Sequence, residues 1–168
     1  SLISKTDALV AFCERQANAQ FITVDTEFLR DKTYWPQLCV IQIGGPNEEA
    51  AIDALAEGID LEPLFNLMRK PDLLKVFHAA RQDFEIFYRL TGELPSPVSD
   101  TQISAMVCGF GDSVGYEKLV SQLAGQRIDK SMRFTDWKRR PLSKNQLDYA
   151  LADVTHLRVV FESLSDLL

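Results

Sequence analysis

The run Phe21-Ile22-Thr23-Val24-Asp25-Thr26-Glu27, taken with Leu38-Cys39-Val40-Ile41-Gln42-Ile43 and Ala50-Ala51-Ile52-Asp53-Ala54-Leu55 behind it, decides the fold class. Phe21 to Asp25 is apolar and β-branched, the composition of a strand. The second run ends at Gly44-Gly45-Pro46 and the third is shorter, so the turn residues between them predict an antiparallel meander. Toward the N-terminus, Thr6 to Gln16 is predicted to be a helix capped by Thr6, with Leu9, Val10 and Cys13 near helical spacing. Beyond the meander the pattern changes. A helix from Leu61 to Lys70 is stopped by Pro71, and a strand from Leu74 to His78 leads directly into a helix from Arg81 to Leu90. Pro95 and Pro97 precede a short segment from Val98 to Asp100. Helices follow from Gln102 to Cys108 and from Tyr116 to Ala124, the second ended by Gly125. Ser143 caps a last helix from Lys144 to Ser163. Three strands, then alternating helices and strands, predict an α/β fold with a central mixed β-sheet flanked by α-helices, in one domain over residues 1–168.

Composition narrows the chemistry. A hydrophobic fraction of 46% with 25% charged residues is that of a globular protein, and no apolar run is long enough to span a membrane. The start lacks a signal-peptide core, so a cytoplasmic location is expected. Cys13, Cys39 and Cys108 are widely separated and His78 and His156 are the only histidines, which argues against a disulfide framework or a zinc site. A metal would rely on oxygen ligands, which favours Mg²⁺ or Mn²⁺. The net charge is −6, yet Arg127 to Lys144 carries seven basic residues against two acidic ones, a local +5 on a body of −11. Such a stretch can meet phosphates, or can simply be a solvated loop.

The carboxylates fall into a pattern. Asp25 and Glu27 are two residues apart at the end of a predicted strand, so both side chains share one face. Asp83 opens the helix after a later strand, where α/β proteins place their ligand crevice. Tyr149 and Asp153 are four residues apart on the last helix and share its face, with Leu147, Leu151, Val154 and Leu157 turned toward the sheet and Asp148 toward solvent. Each feature has an ordinary reading as a turn former, a helix-dipole partner or a surface hydrogen bond. Together they suit two divalent ions bridging the attacking and leaving oxygens of a phosphoryl displacement. A tyrosine, neutral at pH 7, suits alignment of a water more than removal of its proton.

These residues resemble the DEDD superfamily of 3′→5′ exonucleases, in its tyrosine subgroup, and within it the ribonuclease D family. Val24-Asp25-Thr26-Glu27-Phe28 matches the first motif, Phe77 to Asp83 the second, and Tyr149-x-x-x-Asp153 the third. Thr33-Tyr34-Trp35-Pro36-Gln37-Leu38, Asp100-Thr101-Gln102, Asp129-Lys130-Ser131 and Thr135-Asp136-Trp137 with Arg140-Pro141-Leu142 extend the likeness. The resemblance implies a ribonuclease H-like fold, two Mg²⁺ or Mn²⁺ ions and release of 5′-mononucleotides from RNA 3′ ends, of the transfer-RNA-trimming kind. It implies that Asp25, Glu27 and Asp153 hold one ion, that Asp25 serves the second with indirect help from Asp83, and that Tyr149 orients the attacking water. Lys130, Arg139 and Arg140 are expected near a single-stranded RNA backbone, with Phe28 and Gln37 shaping the terminal-nucleotide pocket and His78 suiting either a substrate contact or a satisfied place in the core. Trp35 and Trp137 suit either base stacking or packing. Ribonuclease D normally continues into helical C-terminal domains that grip RNA, so a minimal member or an excised fragment is expected. A DNA exonuclease of the same superfamily and a nucleic-acid-binding module that no longer cuts are the alternatives.

Overall fold

The computed structural model describes residues 2–29, 35–112 and 114–168. Thr33 and Tyr34 of the quoted motif lie outside them. The elements run β1 (Leu2–Ile3), α1 (Thr6–Gln16), β2 (Phe21–Leu29), β3 (Gln37–Gly44), β4 (Glu49–Asp53), α2 (Glu62–Arg69), β5 (Leu74–Phe77) and α3 (Arg81–Thr91). Then come β6 (Val98–Asp100), α4 (Thr101–Val107), α5 (Tyr116–Leu119), which continues as a looser π-type turn over Val120–Ala124, and α6 (Lys144–Leu167).

The strands form one sheet in the order β1-β4-β3-β2-β5-β6. β2, β3 and β4 make the expected meander, while β5 lies parallel to β2 and β6 parallel to β5. β1, parallel to β4, escaped the sequence reading because two residues carry no alternation. Side chains alternate across the sheet. Ile22, Val24, Ile41, Ile43 and Ile52 join Leu9, Phe12, Leu64, Met68, Ile86 and Phe87, so α1, α2 and α3 cover one face. Val40 and Ala51 point the other way, to Trp137 and to Ala150 of α6.

α6 lies close against its face. The Thr23 hydroxyl donates to the Val154 carbonyl at 2.7 Å, and Arg158 donates to the carbonyls of Phe21 at 3.1 Å and Gly44 at 3.2 Å. Gly44 makes this approach possible. A Cβ there would stand 2.3 Å from Thr23 Oγ1 and 2.9 Å from the Val154 carbonyl oxygen. Gly44→Ala is therefore expected to cost about 2–3 kcal/mol in thermal denaturation, the range of an overpacked core. It should also reduce activity, because the displaced turn carries Asp153 beside Val154.

Three local expectations need correction. Asp25 and Glu27 sit within β2 instead of at its end, because β3 stays paired as far as Leu29, with a register shift between Glu27 and Phe28. Thr6 does not cap α1; the capping residue is Lys5, without a side-chain bond, and Thr6 Oγ1 accepts from the Asp60 amide at 2.9 Å. Leu147 and Leu151 are only half-buried, whereas Val154 and Leu157 are fully covered. The Ser143 cap is present as a capping box with Gln146, and Gly125 ends the π-type turn at φ 64°.

Candidate active site

β2 is nine residues long, but β5 pairs only with Phe21 to Thr23. Beyond Thr23 the strand outruns its parallel neighbour, at the point where the sheet switches from parallel to antiparallel pairing. A crevice beyond the ends of parallel strands is the usual ligand site of such sheets. Here a cavity of about 840 Å³ opens there, lined by β2 from Val24 to Leu29, by His78, Ala79 and Asp83, by Tyr116, by Lys130 and Arg133, and by Tyr149 and Asp153 of α6.

Asp25 and Glu27 share the face that α6 covers, as residues two apart on a strand must. α6 brings Asp153 to them, and one carboxylate oxygen from each of the three lies within 4.8 Å of the others. Asp83 arrives from α3 on the opposite side, where the Thr26 hydroxyl donates to it at 2.5 Å. Its approach depends on the turn before α3. Asp100 accepts from the amides of Ala79 and Ala80, each at 2.9 Å, and Ala79 is held there at φ 52°, an uncommon backbone for a residue with a side chain.

Crowding four carboxyl groups away from water raises their pKa values. Burial, opposed by the Thr26 amide and Arg133, pushes Asp25 up to about 6. Burial and the charges of Asp25 and Asp153 push Glu27 up to about 10, although Gln42 donates to it at 3.1 Å. Burial and then Asp25 hold both Asp83 and Asp153 well above the usual carboxylate range. Burial and the charges of Asp153, Glu27 and Asp25 raise Tyr149, so it keeps its proton at neutral pH. Oxygen donors packed this closely, with Asp25 still reachable from solvent, fit a divalent cation better than a set of mutually repelling anions.

This sets a pH-dependence. Carboxyl groups whose folded pKa lies above the unfolded value near 4 keep protons that the unfolded chain has released, so stability falls as pH rises. Asp25's share of that loss is complete a little above its pKa of about 6, while Glu27's runs on toward about 10. In chelator, the melting temperature is expected to drop between pH 5 and pH 8. Mn²⁺ at pH 8 should reverse the loss. An ion at 100 times its dissociation constant adds about 2.7 kcal/mol, or about 5–10 °C for a chain of this size. A melting point that rises over this range in chelator, or that ignores Mn²⁺, contradicts the cation assignment.

The remaining expected residues divide. His78 lines the cavity, with Nδ1 2.9 Å from Thr101 Oγ1 and its ring 5.2 Å from Tyr116, and burial pushes its pKa down. Phe28 and Lys130 also line the cavity, and Lys130 reaches Glu117 at 2.6 Å across it. Gln37 and Arg139 do not line it. Arg140 does not line it either: its guanidinium grips Asp53 at 2.8 and 3.1 Å and the Cys39 carbonyl at 3.0 Å. That correction has a plain cause, since a buried aspartate requires a cation and Arg140 is the one supplied. Trp137 is packing, 1% exposed, with its ring 6.1 Å from that of Tyr149.

Four contributors went unremarked in the sequence. Thr26 holds Asp83 and Gln42 holds Glu27, while the Tyr116 hydroxyl donates to the carbonyl of Asp153. Arg133 lowers the pKa values of both Asp25 and Asp153. Register could have found Gln42, which pairs directly with Asp25. Nothing local marks Tyr116, 37 residues from its partner.

A family model described as 3′–5′ exonuclease matches residues 1–168. A curated ribonuclease D of Acidiphilium cryptum (strain JF-5) is 60% identical over 163 residues, covering 97% of this chain and 42% of that protein. The crystal structure of Escherichia coli RNase D, titled an exoribonuclease involved in structured RNA processing, superposes with a TM-score of 0.95 at 40% identity, over 99% of this chain and 44% of that one. Brucella melitensis NrnC, solved with bound Mg²⁺, superposes with a TM-score of 0.79 at 26% identity, over 99% of this chain and 78% of that one. The chain thus spans less than half the length of the curated relatives it matches. The mixed sheet and its helices are the ribonuclease H-like exonuclease fold.

Proposed function

Since the chain belongs to the 3′–5′ exonuclease family, we propose that it is one catalytic domain that hydrolyses RNA from its 3′ end, releasing 5′-mononucleotides. The observation that carries this reading is the meeting of Asp25, Glu27 and Asp153 within 4.8 Å, in an open cavity that Tyr149 also lines. Relatives named ribonuclease D support RNA over DNA.

Asp25, Glu27 and Asp153 would hold one divalent ion, and Asp25 would serve a second with Asp83 acting indirectly. Mg²⁺ and Mn²⁺ fit this all-oxygen set. When bound, such ions neutralise charge on the attacking and leaving oxygens of an in-line displacement. Tyr149 holds its phenolic proton, lies one helical turn from Asp153 and aligns the water for attack on the last phosphodiester. The water oxygen bonds to phosphorus and gives up a proton to solvent, the bond to the 3′ oxygen of the preceding nucleotide breaks, and that oxygen takes up a proton from solvent. Arg133 and Lys130 offer positive charge to the substrate backbone at the cavity rim. No helix among the described residues is long and apolar enough to cross a membrane, and the function fits a cytoplasmic enzyme trimming precursors such as those of transfer RNA.

The test is 5′-labelled single-stranded RNA with Mg²⁺ or Mn²⁺, beside the same sequence as DNA and an RNA ending in a 3′-phosphate. The expected result is a metal-dependent ladder shortening from the 3′ end of RNA and blocked by the phosphate. A ladder on DNA alone moves the chain to the DNA branch. RNA binding without turnover in Mn²⁺ overturns the enzymatic reading.

A further inference from the structure

The loop between α5 and α6 holds an aromatic ring that the mechanism does not use. Phe134 is 87% exposed, yet it lines the cavity that holds the carboxylates. Its exposure forgoes the burial that aromatic side chains ordinarily gain on folding. The backbone on either side is well anchored. Asp129 accepts from the Ser131 amide at 2.9 Å. The Thr135 hydroxyl donates to the Met132 carbonyl at 2.7 Å and accepts from Gln146 of α6 at 3.0 Å. Trp137, three residues on, is buried and donates to the Arg133 carbonyl at 3.3 Å. The ring is thus held outward by a pinned loop, which lowers the ordering cost of anything that stacks on it. The Arg133 guanidinium lies 5.3 Å from the ring centroid and, like Lys130, faces the same cavity.

An exposed ring beside a guanidinium at an acidic cavity matches what single-stranded nucleic acid requires, a π-face for a base and positive charge for the phosphate beside it. Resting on the exonuclease reading above, we propose that Phe134 is a stacking platform for a nucleobase within the last three nucleotides of the RNA substrate, with Arg133 at the adjoining phosphate. Every base has a π-face, so the platform tolerates any sequence. A base inside a duplex has its faces covered by neighbours, so the platform favours an unpaired 3′ end.

Phe134→Ala and Phe134→Trp test this, assayed on single-stranded RNA and on a series of RNAs carrying one abasic unit at each of the last three positions. Equilibrium RNA binding is read separately in the Asp25→Asn background, so the platform receives an answer even if the exonuclease reading fails. Phe134→Ala is expected to raise KM and the dissociation constant about 10-fold, as loss of one stacked base does, with kcat nearly unchanged. Phe134→Trp should restore affinity, and one abasic position should erase the difference between wild type and Phe134→Ala. Dissociation constants within about two-fold of wild type, or an equal penalty on every abasic RNA, overturn the proposal. So does a lowered melting temperature with RNA affinity intact, since that assigns Phe134 to protein packing.

Discussion

Asp25→Asn is expected to lower turnover of RNA bearing a 3′-hydroxyl by at least about 10³-fold, the scale on which loss of several kcal/mol of metal-assisted stabilisation appears. Asparagine keeps the shape of the side chain and can still accept from the Thr26 amide, which lies 2.9 Å from Asp25 Oδ1. A folding defect is therefore a poor explanation for the loss. Stability should move the other way. Asp25 is held up to about 6 chiefly by burial, and its charge in turn raises Glu27, Asp83 and Asp153. Removing that charge should stabilise the metal-free protein by about 1–2 kcal/mol at pH 8, a figure discounted for the partial exposure of Asp25. The gain in melting temperature from Mn²⁺ should shrink in the same variant. The pairing of lost activity with raised stability identifies a site that sacrifices stability for chemistry. Turnover near the wild-type level would remove Asp25 from the mechanism.

Tyr149→Phe should lower kcat about 10²-fold, at the low end of what a positioned proton-bearing group contributes. The stabilisation by Mn²⁺ and the KM for RNA should stay close to wild type. The argument is geometric. Tyr149 lines the cavity one helical turn before Asp153 and is braced by the Trp137 ring at 6.1 Å. Burial and three carboxylates push its pKa up, so the role proposed for it is to orient a water through its hydroxyl and not to serve as the base. Phenylalanine preserves the ring packing and removes only the hydroxyl. A pH–rate profile that loses an alkaline limb in Tyr149→Phe would show the phenol to be titrating, against the proposed role. A comparable loss of Mn²⁺ affinity would make Tyr149 a positioning residue for Asp153.

Much of the frame was legible from local pattern. Val24, Ile41, Ile43 and Ile52 mark strands by composition, and the meander follows from the turns between them. The spacings of Asp25 with Glu27 and of Tyr149 with Asp153 place each pair on one face of its element whatever the rest of the chain does. Boundaries were less legible, because how far β2 runs past Asp25 is set by its pairing with β3.

By itself, then, the sequence determined which elements form and which acids share a face, since both depend on periodicities of two or of 3.6 residues. Partnership was decided only by the tertiary structure. Arg139 and Arg140 are equivalent as charges in a basic run, yet Arg140 is fastened to Asp53, 87 residues away, and Arg139 stays in solvent. Trp137 and Phe134 are both aromatic and three residues apart, yet one is 1% exposed and the other 87%. Asp83 lines the same cavity because Thr26 and the Asp100-bound turn bring the start of α3 to it. Burial, and the hydrogen bonds that satisfy it, depend on which distant segments meet, and charge and spacing along one dimension do not record that.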